Sequence, residues 1–245
     1  MKKTQREEKT NEYTCFAPFD QGLAQLHNKG LELITARELA EIHSIKPPHT
    51  YLFPISWIAE SFVYLSNGNI LVTTREQNPI LQFPQEATQQ HSEESEFYLS
   101  DRVLKDIFER AQTDVDQALI TGVLLLKKET LPEKIPFEQF SQQPLTRFLF
   151  RELAAEYGQF RSKFSHKPYA SIHVFRPNSQ LFPLPHRSLT PFARDIRIGN
   201  SSILGSSDID GIGYEGGGGM GGTYFQLAQH NYMTGIRLRN TEAIP

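Results

Sequence analysis

The chain is poor in sulfur, with one cysteine, Cys15, and three methionines among 245 residues. A lone thiol excludes an intramolecular disulfide framework and any zinc site built from several thiolates. Long apolar runs are missing too. The longest, Ala118 to Leu126, is interrupted by Thr121 and Gly122 and reaches about half of the roughly 20 residues a membrane-spanning helix needs. No membrane span is expected. The start of the chain, rich in lysine and glutamate from Met1 to Asn11, has no apolar stretch behind its positive charges and so lacks the pattern of a secretory signal. Residues 1–12 read as a disordered tail, and a cytoplasmic setting is the default, with specialised secretion left open. The eight histidines include no His-x-x-x-His pair on a predicted helix, so a metal site of that kind is not expected; His49, His173 and His186 could meet only through the fold. No cofactor is expected. Cys15 has no neighbouring cation to lower its pKa, and Trp57, beside Pro54 and Ile58, reads as a core anchor.

What is present is ordinary globular composition. At 38% hydrophobic and 22% charged residues, a buried core is affordable for one large domain or two smaller ones. The net charge of −3 is unevenly spread, since residues 161–245 carry nine Lys and Arg against five Asp and Glu. Such asymmetry can mark a nucleic-acid surface, but ordinary surface variation accounts for it as well. Thr35 with Glu38 forms a capping box for a helix from Ala36 to His43, which is similar to the first helix of a helix-turn-helix. Pro47 and Pro48 then fall where the turn and recognition helix should be. Nucleic acid is therefore not expected as a partner.

Other elements follow from local chemistry. Asp20 to Asn28 forms a short helix ended by Gly30. Ser61 to Ser66 and Ile70 to Arg75 flank Asn67-Gly68, a pair suited to a tight turn, and predict a β-hairpin. Pro84 to Glu96 is polar and aperiodic and reads as an exposed loop, so 84–96 is a candidate internal boundary. Ser100 caps a helix from Asp101 to Gln112 whose apolar residues Val103, Leu104, Ile107, Phe108 and Ala111 recur at helical spacing. Pro144 opens a long helix from Leu145 to Phe164. Tyr169 to Phe175 follows as a strand.

The final quarter is different. Gly205-Ser206-Ser207-Asp208-Ile209-Asp210-Gly211 precedes Gly216 to Gly222, and Ile209, Ile212, Tyr224, Phe225 and Leu227 interleave the glycines with strand-like residues. A pure linker would lack those anchors. A phosphate cradle would need a following helix, whereas Thr223 to Arg239 reads as strands. Asp208 and Asp210 lie on one face of a strand, where two carboxylates could hold divalent metals for nucleotidyl transfer.

Asp195 to Ile198, Gly205 to Asp210, Gly218-Gly219-Met220-Gly221-Gly222, Thr223 to Leu227 and Tyr232 to Leu238 follow one another in an order that resembles part of a jacalin-type lectin domain, over about residues 191–239. The resemblance implies a β-prism whose sugar site lies in loops at one end. By position, Asp210 would be the main acceptor, Gly205, Ser206, Ser207, Asp208 and Ile209 would supply loop contacts, and Gly218 and Gly219 would form the neighbouring wall. The chemistry suits a sugar: a carboxylate accepts from vicinal hydroxyls, amides donate, and glycine removes the Cβ that would block approach.

The expected architecture is an α+β region, residues 13–185, followed by an all-β, β-prism-like (jacalin-like) segment, residues 186–245. The expected function is a carbohydrate-binding or targeting module attached to a domain of unknown activity, with a glycan or glycoconjugate as partner and another protein chain as a further one. Catalysis is left open: the alternatives are a hydrolytic or nucleotide-transferring enzyme using the first region or Asp208 and Asp210, and a protein-interaction scaffold or effector.

Overall fold

The structure is a computed structural model and describes residues 12–45, 57–65, 67, 69–94, 99–130, 134–163, 169–171, 192–194 and 231–236. In chain order these form β1 (Glu12–Ala17), α1 (Phe19–Asn28), β2 (Glu32–Leu33), α2 (Ala36–Ile45), β3 (Ser61–Tyr64), β4 (Ile70–Thr73), α3 (Pro79–Gln82), α4 (Pro84–Glu94) and α5 (Asp101–Arg110). They continue with α6 (Val115–Thr121), β5 (Val123–Leu126), β6 (Lys134–Pro136), α7 (Pro144–Phe150), α8 (Ala154–Ser162), β7 (Tyr169–Ser171), β8 (Phe192–Arg194) and β9 (Asn231–Ile236). The strands make three antiparallel sheets, ordered β1-β9-β2, β5-β4-β3-β8 and β6-β7.

The four-stranded sheet is covered on both faces. Alternate strand residues point to opposite sides, and here both sides find partners. Phe62, Ile70, Val72 and Leu124 join one core with α2, α6, α7 and α8. Val63, Leu71 and Val123 join a second with Phe19, Leu26, Trp57, Ile80, Leu104 and Met233. Double coverage explains why β4 and β5 read as continuous apolar runs. The apolar run around Ala118–Leu126 is split by Gly122, whose φ of +81° closes α6 in the left-handed region and turns the chain into β5.

The expected prism is overturned. Among the described residues helix outweighs strand, the sheets are small and antiparallel, and none closes into a prism or barrel. The two described strands after residue 186 enter different sheets: β8 pairs with β3, and β9 lies between β1 and β2. With both edges of β9 hydrogen-bonded by strands from the start of the chain, none remains to extend a prism sheet. The Thr234-Gly235-Ile236 letters that matched the prism pattern have another cause. Met233 is fully buried against Cys15 and Gly22, and a Cβ on Gly235 would stand 2.6 Å from Leu26 Cδ2.

Three local expectations also change. The 84–96 segment is helical as far as Glu94, because Pro84 sits harmlessly in a first turn and Ala87 and Thr88 are buried. The long helix breaks at Arg151, with φ 53°. A straight helix would bury one stripe only, whereas the break buries Phe150 as well and brings its ring 5.1 Å from that of Tyr157. Phe108, expected in the core, is 52% exposed.

An ion-pair hub ties the two larger sheets to α2. Arg75, just past β4, donates through Nη2 to the Leu33 carbonyl of β2 at 2.7 Å and to Glu38 Oε2 of α2 at 2.9 Å, while Nη1 meets Glu32 Oε2 at 3.1 Å. The same Glu38 oxygen accepts from Thr35 N at 2.8 Å, and Thr35 Oγ1 accepts from Glu38 N at 3.2 Å, so the expected capping box is formed. Beside it the buried Glu60 accepts from Ala36 N at 3.0 Å. Burial pushes the Glu60 carboxyl from its ordinary 4.5 up to about 7, against the opposing pull of the Ala36 amide and Arg75.

Because Glu60 holds its proton more tightly folded than unfolded, its contribution is fully present below about pH 4.5 and is lost as pH rises to about 7. Glu60→Gln keeps an acceptor for Ala36 N and removes the titration. Thermal unfolding at about pH 5 and pH 8 is expected to show a smaller fall in stability for the variant, by up to about 3 kcal/mol; equal pH dependence would remove the assignment. Gly122→Ala would force a Cβ to 2.7 Å from Gln77 Cγ and 2.9 Å from Thr74 Oγ1 at a positive φ. Urea unfolding is expected to register a loss of about 2 kcal/mol, and a change within about 0.5 kcal/mol would contradict this packing.

Candidate functional site

The residues to which sequence assigned ligand contacts, Gly205, Ser206, Ser207, Asp208, Ile209, Asp210, Gly218 and Gly219, lie outside the described residues. So do His49, His173 and His186. The structure does establish the two anchorages of the segment that carries the first group. It departs from β8 at Arg194, in the four-stranded sheet, and rejoins at Asn231 in β9, the centre of the three-stranded sheet. The two sheets abut: Trp57 bridges Met233 of β9, Ala59 N donates to the Ile34 carbonyl at 2.8 Å, and the chain runs on from there into β3. Trp57 is 1% exposed and packs edge-on to Phe19 at 5.4 Å. It anchors the core.

Cys15 is buried and directs Sγ at the Met233 carbonyl, 3.7 Å away. Burial pushes its thiol pKa up, which disfavours the thiolate a nucleophile needs. Among the described residues no group of three or more His, Cys, Asp and Glu is placed to hold a metal ion, and no helix is long and apolar enough to cross a membrane.

What the fold brings together, and sequence reasoning missed, is a groove of about 760 Å³ between α1 and the α3–α4 corner. Asp20, Leu23, Ala24 and His27 line one wall. Their i, i+3, i+4, i+7 spacing places them on one face of α1, along about 10 Å of helix axis. Leu81, Phe83 and Glu86 line the opposite wall, and Glu32 and Arg75 of the hub also line it. Phe83 is 43% exposed. Asp20 Oδ1 is shut off from solvent and has no hydrogen-bond partner. The α1 half was legible as a helix whose one face mixes acid, histidine and apolar residues. The other half was not, because 84–96 reads as a loop.

No family model matches the chain, and no curated protein matches it. A solved structure described as "Accommodation of massive sequence variation in Nanoarchaeota by the C-type lectin fold" is similar to it at a TM-score of 0.60 and 12% identity, covering 94% of this chain and 99% of that one. At this identity the likeness concerns the fold alone, and it puts a C-type-lectin-like arrangement where sequence pointed to a jacalin prism.

Proposed function

We propose that this chain is a ligand-recognition module, with a glycan as its ligand and the segment between β8 and β9 as the contact surface. The observation that carries the reading is the likeness to a C-type lectin fold over nearly the full length of both chains. Physical chemistry supports the choice of segment. Ligand contacts tend to be made by loops held on a rigid frame, and this segment is anchored at each end in a sheet packed into the core. Its letters suit sugar hydroxyls: Asp208 and Asp210 are acceptors, Ser206 and Ser207 add hydroxyls, and Gly205, Gly218 and Gly219 let a ring approach the backbone. Asp210 is the principal acceptor in this reading.

A glycan-array screen of the whole chain, with Asp210→Ala beside it, tests both parts. Saturable binding of at least one glycan is expected, weakened about tenfold or more in the variant, as loss of a charge-assisted hydrogen bond requires. A folded chain that binds no glycan overturns the ligand class. Binding that is unaltered by Asp210→Ala overturns the site while leaving the ligand class standing.

A further inference from the structure

Independently of that reading, we propose that the seam between the two larger sheets is a proton-operated joint: the neutral form of Glu60 closes it, and ionisation of Glu60 opens it locally while the strands on either side stay folded. Placement comes first. Glu60 lies between Ala59, whose N–H donates to the Ile34 carbonyl at 2.8 Å, and Ser61, the first residue of β3. Its carboxyl accepts at 3.0 Å from the N–H of Ala36, the first residue of α2. Ile34 N in turn donates to the Thr234 carbonyl of β9 at 3.0 Å. The carboxyl therefore ties the start of β3 to the stretch that links β2 with α2, where one sheet passes to the other. β8 pairs with β3 on one side of this seam, and β9 pairs with β2 on the other.

Charge comes next. Glu60 is buried, and among the described residues the charged groups that act on it are Arg75, which attracts its anion, and Glu38, which repels it. Arg75 directs its hydrogen bonds elsewhere, with Nη2 on Glu38 and the Leu33 carbonyl and Nη1 toward Glu32. A neutral Glu60 leaves two carboxylates around this guanidinium. An ionised Glu60 is a third, withdrawn from water and with no cation of its own, which is costly until water reaches it. The seam is the easiest way in: β2 is two residues long, and the Glu32 side chain is half-exposed. Elements held by few bonds open at lower cost than the sheets they join. Burial holds the Glu60 carboxyl at about 7, against an ordinary 4.5 that it regains once hydrated. The closed seam is thus fully favoured below about pH 4.5, and the open form gains progressively up to about pH 7 and no further above it.

Amide hydrogen exchange of the whole chain, followed residue by residue by NMR from about pH 5 to about pH 8 and corrected for the intrinsic pH dependence of exchange, tests the joint. Protection of Ile34, Ala36 and Ala59 is expected to fall about tenfold or more across that range. At the upper end it should lie at least about tenfold below that of Leu71 and Val72 in β4, which is paired on both sides. Glu60→Gln keeps an acceptor for Ala36 N and should abolish the fall. In the unsubstituted chain the fall should level off where the Glu60 carboxyl carbon titrates by carbon-detected NMR, a readout that carries the test should the variant fail to fold. Equal protection at the seam and in β4 at the upper pH would mean that only whole-molecule unfolding frees Glu60, and would overturn the proposal. So would the absence of a fall, a fall that persists in the folded variant, or a plateau that does not coincide with the Glu60 titration.

Discussion

The arrangement depends on one guanidinium. Arg75 sits at the end of β4, yet its bonds go to β2 and to the start of α2, so one side chain fixes how the two larger sheets and a helix meet. Its planar fork is suited to this, because it can donate to two carboxylates and a carbonyl at once. Arg75 and Glu38 are 16% and 19% exposed, a regime in which losing one partner strands the other's charge and costs about 3–5 kcal/mol. Glu60, placed beside this pair and bonded to Ala36 N, stays in the interior by holding its proton up to about pH 7. Three acidic residues around one cation would repel if all were ionised; partial neutralisation of the most buried one relieves this.

Features that rest on near neighbours in the chain were legible in the sequence. The Thr35–Glu38 capping box forms through short-range bonds, the strands around Asn67-Gly68 pair as a hairpin, Ser100 caps α5, and α1 begins and ends within a residue of expectation. Features set by distant partners were not. β1 has no counterpart among the expected elements: Glu12 falls in the stretch read as a tail and residues 13–17 carry no assigned element, because nothing in Glu12–Ala17 says that it will pair with residues 231–236. The kink at Arg151 is dictated by where Phe150 and Tyr157 must pack, which periodicity cannot report. Pro84–Glu94 has few apolar residues, and its helix is held by the burial of Ala87 and Thr88.

The prism expectation failed for a related reason. Thr-Gly-Ile, glycine pairs and alternating residues are what any closely approached antiparallel strand needs, so their order on the chain constrained the fold less than it seemed to specify a family. Gly235 illustrates this: its missing side chain makes room for Leu26, a contact between α1 and β9 that no prism contains. The same letters fit two folds because the requirement they meet, close approach without a Cβ, is common to both. The candidate ligand residues are subject to the same limit, since the physical suitability of Asp210 for hydroxyl groups does not depend on which frame presents it.

The segment between β8 and β9 begins on one sheet and ends on another, and the two sheets are joined through Trp57, Ala59 and the Arg75 hub. Strands at both ends are committed to the core by pairing, and Met233 is fully buried. The ends of residues 195–230 are thus held by strand pairing at fixed places on the two sheets. On the proposed reading, ligand contact by residues 195–230 would draw on a frame held by the pairing of β8 and β9 and by the Arg75 hub.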